Sequence, residues 1–189
     1  KYIKKDFSGN QEEKAYLIGF RIGDLHVQKV GSIIRIKTNT TRIEQVELIR
    51  NLFKKYGHFY TKNYNGTYYI QCQMNYSFSF LIPKEKHICD WALNNERYFF
   101  SFLAGYADAE GSIGVYNNMA KFRLGSYDKD ILYEINDKLN SLGVKSNLRL
   151  ETEKGINNQN GDFWRISIGS KIHLLKLFNL LDPYLKHDK

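Results

Sequence analysis

The chain repeats itself. The run Tyr16-Leu17-Ile18-Gly19-Phe20-Arg21-Ile22-Gly23-Asp24-Leu25 returns as Phe102-Leu103-Ala104-Gly105-Tyr106-Ala107-Asp108-Ala109-Glu110-Gly111. Glu110 follows Asp24 by 86 positions, Gly143 follows Gly57 by the same 86, and Pro183 follows Pro83 by 100. Such a repeat confines the chain to two like units. Each run is apolar and carries small residues four apart, Gly19 with Gly23 and Gly105 with Ala109. In a helix these positions share a face. Two faces without bulky side chains let helix axes approach at or below the usual ~8–10 Å. Packed alongside and pointing the same way, the two helices bring Asp24 and Glu110 together at one end.

A helix C-terminus presents unpaired carbonyls and the negative end of the dipole. Two acids placed there side by side destabilise the pair unless a cation joins them. Oxygen donors of this kind suit Mg²⁺. Asp24 and Glu110 are therefore the expected metal ligands, with the backbone carbonyls of Gly23 and Ala109 completing the shells.

The second run contains L-A-G-Y-A-D-A-E-G and resembles the signature of the LAGLIDADG homing endonucleases. The first contains L-I-G-F-R-I-G-D-L, with Ile22 in place of the first acid and Leu25 in place of the final glycine. Two copies in one chain resemble the monomeric, pseudo-twofold members of that family. The resemblance implies a site-specific, Mg-dependent endonuclease that acts on a long, asymmetric duplex. It implies one cut per strand across the minor groove, leaving short 3′ overhangs, with Ca²⁺ or Mn²⁺ able to replace Mg²⁺ in crystals. Two other readings stand beside it: an RNA maturase or other non-cleaving nucleic-acid binder on the same scaffold, with intron RNA as a possible partner; and a small-molecule or protein-binding module whose metal is structural.

Composition agrees with a folded nucleic-acid partner. The 189 residues are 42% hydrophobic, enough for a core, and the net charge of +8 favours a polyanion. Cys72 and Cys89 are the only cysteines and have no metal spacing, so reduced thiols are expected. No apolar run reaches the ~18 residues of a membrane span, and no signal peptide is recognisable. The expected setting is intracellular, an organelle matrix or a prokaryotic cytoplasm, with the protein a monomer.

The expected fold class is α+β: two pseudo-symmetric αββαββα halves, residues 1–82 and 95–189 joined by a linker over 83–94, forming a saddle of antiparallel sheets around two packed helices. In the first half, helices are expected over 11–23, 41–56 (closed by Gly57) and 77–82. Strands are expected over 26–30, 32–39, 59–63 and 67–74, the last pair joined by the hairpin signal Asn65-Gly66. In the second, helices are expected over 96–109, from an Asp128 cap to 142, and from a Ser170 cap to 181. Strands are expected over 112–116, 121–126, 144–151 and 162–168, with a polar insertion around 154–161.

Alternation sorts the strands into two faces. Val27, Ile34, Ile36, Tyr68, Ile70, Cys72 and Met74, then Ile113, Val115, Phe122, Leu124, Leu148, Leu150, Trp164, Ile166 and Ile168, form the face that helices must cover. The other face offers His26, Gln28, Arg35, Lys37, Tyr69, Gln71 and Gln73 in the first half. In the second it offers Ser112, Tyr116, Lys121, Arg123, Asn147, Arg149, Glu151, Arg165 and Ser167. Arg, Lys, Gln and Asn are the side chains that pair with base edges in a major groove, so this set is the expected DNA-binding face.

Phosphodiester hydrolysis needs an in-line nucleophile and compensation of charge on the phosphate and leaving oxygen, which metal ions supply. Asp24 and Glu110 are the expected catalytic acids, each serving mainly one strand. Lys37 is the leading basic helper in the first half, with Asn75 a second candidate. Gly125 takes the place of Lys37 in the second half on this alignment, leaving Lys121, Ser126 and Lys171 as substitutes. Asp108 is expected to point away from the centre and bridge between helices, with Ile22 its apolar counterpart.

Overall fold

The computed structural model describes residues 2–116, 118–156 and 159–187. The first half runs α1 (Gln11–Asp24), β1 (His26–Val30), β2 (Ile33–Thr40), α2 (Ile43–Phe53), β3 (His58–Tyr64) and β4 (Thr67–Met74), and closes with a 3-10 turn over Tyr76–Leu81. A short helix α3 (Asp90–Leu93) precedes α4 (Glu96–Glu110), β5 (Gly111–Tyr116), β6 (Met119–Ser126), α5 (Lys129–Ser141), β7 (Asn147–Thr152), β8 (Phe163–Ile168) and α6 (Lys171–Leu181). The two sheets have the same antiparallel order, β1-β2-β4-β3 and β5-β6-β8-β7. The fold is thus two pseudo-symmetric halves, each with a four-stranded sheet.

Helices α1 and α4 pack along each other at the centre, and α4 is buried at every position from Phe99 to Asp108. A helix apolar nearly all round belongs in such a place. Both start on an asparagine: Asn10 Oδ1 accepts from Glu13 N at 2.9 Å, and Asn95 Oδ1 from Arg97 N at 3.0 Å. The glycines set the approach. A Cβ on Gly19 would collide with the Phe102 carbonyl oxygen and lie 3.0 Å from Tyr106 N. A Cβ on Gly105 would collide with the Tyr16 carbonyl oxygen and lie 3.0 Å from Phe20 N. Each contact is the other displaced by the repeat, so a local twofold relates the helices. The rings follow it too: Tyr16 and Phe20 stand 6.2 Å apart, as do Phe102 and Tyr106.

The helix-facing sides of the sheets bury Ile34, Ile36, Ile70, Cys72 and Met74 in one half and Phe122, Leu124, Ile166 and Ile168 in the other. Three residues of the expected apolar face remain open: Ile113 is 49% exposed, Val115 73% and Leu150 37%. Ile113 and Val115 lie on β5, the outer strand of its sheet, and α6 packs on β6 beside it. β1, the matching strand, keeps Val27 buried.

Several boundaries and caps differ from the sequence reading. α2 stops at Phe53, short of 56. Gly57 is not a left-handed terminator; it stands where a Cβ would collide with the Gln73 carbonyl oxygen, so it permits close contact with β4. Gly143 does terminate its helix, at φ +74°. Its N–H bonds Asn140 O at 2.9 Å and that of Val144 bonds Leu139 O at 2.8 Å, a Schellman closure. This closure holds Val144 out of β7, which begins at Asn147. Asp128 and Ser170 occupy N-cap positions without a side-chain cap bond. Asp128 instead accepts from Ser126 Oγ at 3.3 Å and lies 3.5 Å from Lys84 Nζ. The segment expected as a helix over 77–82 is a 3-10 turn. Phe7, not assigned from sequence, packs on it, 5.4 Å from the Phe78 ring and 5.1 Å from Phe80. Asn157 and Asn158 of the expected insertion lie outside the described residues.

Candidate active site and nucleic-acid face

Both motif acids are the last residue of their helix, Asp24 of α1 and Glu110 of α4. The chain leaves each helix extended, at Leu25 (φ −103°, ψ 133°) and Gly111 (φ −80°, ψ 155°), so Leu in place of glycine is no obstacle at position 25. The helix ends meet: a Cβ on Gly23 would lie 2.5 Å from Ala109 Cβ and 3.0 Å from Glu110 Cγ. Gly23 thus lies against the Ala109 methyl and the Glu110 stem, and Asp24 follows it directly, so the two acid-bearing ends are brought together. Asp24 is half-buried and Glu110 exposed.

Two residues that the sequence reading missed reach Asp24. Gln45 Nε2, from the first turn of α2, donates to Asp24 Oδ2, and Thr38 Oγ1 lies 3.5 Å from Oδ1. Thr40 Oγ1 donates to Gln45 Oε1 at 2.8 Å and fixes the amide's orientation. No spacing in the sequence links positions 24 and 45; only tertiary packing does.

The donor set fits a hard divalent cation: two carboxylates from different helices, side by side at the helix ends. Among the described residues no group of three or more His, Cys, Asp or Glu stands together. Burial pushes the Tyr106 phenol well above its ordinary range; the nearby Ser126 hydroxyl partly opposes the shift, and Asp128 and Glu110 add to it. It is a neutral neighbour of the site.

The helper candidates scatter. Lys37 is exposed on β2, paired with His26 and Gln71. The hairpin register corrects its second-half counterpart: His26 pairs Lys37 as Ser112 pairs Arg123, so Arg123, not Gly125, matches Lys37. Lys121 pairs with Gly114 and runs along Gly169. Lys171 lines a groove with Met119, Leu175 and Phe178 that no residue of α1 or α4 enters. Asn75 is committed elsewhere, accepting from Ser77 N at 2.6 Å and donating to Asp6 at 2.5 Å. Ser126 is buried and caps a turn, accepting from Asp128 N at 3.1 Å. Asp108, two residues before the end of α4, is buried, accepting from Tyr16 Oη at 2.7 Å and Lys186 N at 2.9 Å.

The polar faces assemble as rows across the strands. Gln28, Arg35, Gln73 and His58 form one row; His26, Lys37, Gln71 and Tyr60 form the next; Asn39, Tyr69 and Lys62 form a third. His58, Tyr60, Lys62 and Asn39 were missed, although the alternation His58, Tyr60, Lys62 is readable in β3. In the second sheet Ser112, Arg123, Ser167 and Asn147 form a row, and Gly125, Arg165 and Arg149 another. Tyr116 joins them, its ring 3.5 Å from the Arg123 guanidinium and its hydroxyl 3.3 Å from Ser112 Oγ.

Residues 98–181 match the family model of the LAGLIDADG-like domain. The second half is a LAGLIDADG-like domain. The likeness in fold extends over both halves, covering 90% or more of the chain. The homing endonuclease I-DmoI, solved in complex with DNA and Mn, superposes with a TM-score of 0.64 over 90% of this chain and 97% of that one, at 17% identity. The N-terminal LAGLIDADG domain of WhiA superposes with a TM-score of 0.60 over 92% of this chain and 82% of that one, at 18% identity. Full-length WhiA from Thermatoga maritima gives 0.63 over 93% and 56%, also at 18% identity. No curated sequence matches the chain significantly.

Proposed function

We propose that the protein is a homing-type endonuclease that seats a long duplex in its two polar sheets and hydrolyses one phosphodiester in each strand, leaving short 3′ overhangs. The observation that carries this reading is the contact of the two motif-helix ends, Gly23 against Ala109 and Glu110, which sets an acid of each half side by side. I-DmoI, similar in fold, is solved with DNA and with Mn or Ca.

Asp24 and Glu110, with the carbonyls of Gly23 and Ala109, are the residues that would hold Mg²⁺. When bound, the cation supplies Lewis-acid chemistry, acidifying a water nucleophile and offsetting charge on the phosphate. The chain's own residues do the rest. Gln45 and Thr38 hold the Asp24 carboxylate in one orientation. The rows of Gln, Arg, Lys and Tyr position the duplex, and the net charge of +8 makes that binding salt-dependent. Each acid serves one strand, so a single protein of two halves, 1–82 and 95–189 joined through 83–94, suffices to break both. Two free thiols suit work inside the cell.

The test is cleavage of supercoiled plasmid bearing a selected site, with Mg²⁺, by the wild type, Asp24→Asn and Glu110→Gln. Wild-type linearisation is expected, with each variant losing double-strand cleavage while keeping its affinity for duplex in Ca²⁺. A Glu110→Gln protein that cuts at the wild-type rate overturns the active-site assignment. Wild-type binding without cutting makes the protein a non-cleaving nucleic-acid binder.

A further inference from the structure

The polar face of the second sheet holds a charge arrangement that the first lacks. Arg165 on β8 pairs directly across from Arg149 on β7. Like charges in directly opposed positions destabilise a sheet. Here Glu151 stands between them: its Oε1 accepts from Arg165 NH1 and lies 4.0 Å from Arg149 NH2. Glu151 is also the residue that falls out of register, since Leu150 pairs Trp164 and Thr152 pairs Phe163. Alternation already puts Glu151 on the face of Arg149, and the bulge leaves it with no residue opposite it in the ladder, so its carboxylate reaches both guanidiniums.

Arg165 is held on its other sides as well. Its side chain is only 23% exposed. Its strand partner on β6 is Gly125, and Nε lies 3.6 Å from where a Gly125 Cβ would be, so its stem rests over bare backbone. The Phe163 ring stands 5.9 Å from its guanidinium and would itself collide with a Gly125 side chain. In the first half the same row carries Asn39, Tyr69 and Lys62. A surface Arg–Glu pair left to neutralise charge needs none of this enclosure.

Resting on the proposed reading of this face as a duplex-binding surface, we infer that Arg165, oriented by Glu151 and backed by Arg149, reads a guanine on the side of the target served by Glu110. A fixed guanidinium fork pairs with guanine O6 and N7 and with no other base edge so well. Glu151 is then a positioning residue, not a base contact. The register also places the guanine. Gly125 follows Leu124, the partner of Gly111, so Arg165 stands two strands from the line of Glu110. That is roughly 10 Å at sheet spacing, or about three base pairs at ~3.4 Å per base along a strand.

The test is selection of bound sites from a randomised duplex library in Ca²⁺, by the full chain and two variants, with the salt dependence of affinity measured alongside. The wild type is expected to enrich guanine at one or two positions, on one side only, within about four base pairs of the centre of the selected site. Arg165→Lys keeps the charge and loses the fork, so the salt slope stays and the guanine preference falls about tenfold. Glu151→Gln leaves the face more positive, so affinity for non-cognate duplex holds or rises while the same preference weakens. A merely structural ion pair moves stability without moving the base preference. Guanine enrichment unchanged in Arg165→Lys, or absent from wild-type sites, overturns the inference and leaves duplex binding standing. A wild type that retains no duplex overturns the reading of the face and the inference with it.

Discussion

In the first half, α1 turns Arg21 inward, where Nε donates to Leu81 O at 2.9 Å and NH1 to Leu25 O at 2.5 Å. In the second, α4 turns Asp108 inward, where it accepts from Lys186 N at 2.9 Å. Leu81 ends the first half's closing turn and Lys186 follows a 3-10 turn over Asp182–Tyr184 that closes the second, so both side chains tie the departing chain to the motif helix. They do it with opposite charge. Their pseudo-equivalents are apolar: Ala107 matches Arg21 and Ile22 matches Asp108. Burial lowers the Arg21 guanidinium from its ordinary value, and backbone carbonyls supply its acceptors. Symmetry is thus kept where backbones touch, at Gly19 and Gly105, because one shape must fit both helices. It is lost one layer out, where each half needs only some satisfied contact.

The acids differ in the same way. Asp24 is gripped by Gln45 and Thr38. The positions matching them in the second half are Ile131 and Leu124, both fully buried. The first acid is oriented by an amide and a hydroxyl, and the second half has hydrocarbon in those places.

The comparison breaks most severely at the helix contact. Gly19→Leu and Gly105→Leu should each lose about 3 kcal/mol or more, because the obstacle is a backbone carbonyl that cannot swing aside. Equal losses in urea unfolding confirm the twofold; one variant tolerated alone disproves it. The charged ties come next. Asp108→Ala strands the Tyr16 hydroxyl and the Lys186 N–H and should cost about 2–3 kcal/mol. Arg21→Met keeps most of the packed stem and should cost about 1 kcal/mol. A larger loss for Arg21→Met would reverse this ranking.

The acids offer a sharper contrast. Gln45→Ala should slow cutting of the strand that Asp24 serves by about tenfold or more, with the other strand spared. Nicked plasmid should accumulate; an equal slowing of both strands would mean that Gln45 acts on the fold as a whole. The smallest effect concerns the tyrosines. Burial, then Asp108, holds Tyr16 neutral far above the ordinary value of 10.0, and Tyr106 is raised likewise. Above that pH the unfolded chain binds fewer protons than the folded one, so stability is whole below it and declines as pH rises, by about 1.4 kcal/mol per unit per tyrosine. Tyr16→Phe should cost about 1 kcal/mol at neutral pH and flatten the alkaline slope without abolishing it, because Tyr106 and the buried Cys72 thiol, also raised, remain; unfolding between pH 9 and 11 measures it.

The fold was largely legible because its signals are local or periodic. Asparagine caps, Asn65-Gly66, strand alternation and a fixed repeat each act over a few residues or a constant offset. The acids were legible for the same reason, as ends of two like apolar runs. Errors fell where one signal has two causes. A glycine after a helix reads as a terminator at both 57 and 143, but only Gly143 is left-handed; Gly57 serves a strand that arrives from elsewhere. Ile113 and Val115 alternate like core residues, yet whether a helix covers an outer strand is not written in that strand.

From its residues alone the chain settles that it forms two like units, that small side chains line their central helices, and that one acid closes each. These follow from periodicity and side-chain size, which are properties of neighbours in sequence. The tertiary structure alone decided that Gln45 and Thr38 reach Asp24, and that Glu151 of β7 meets Arg165 of β8. Those contacts join residues whose separation obeys no period, and only the packing of strands and helices brings them within bonding range.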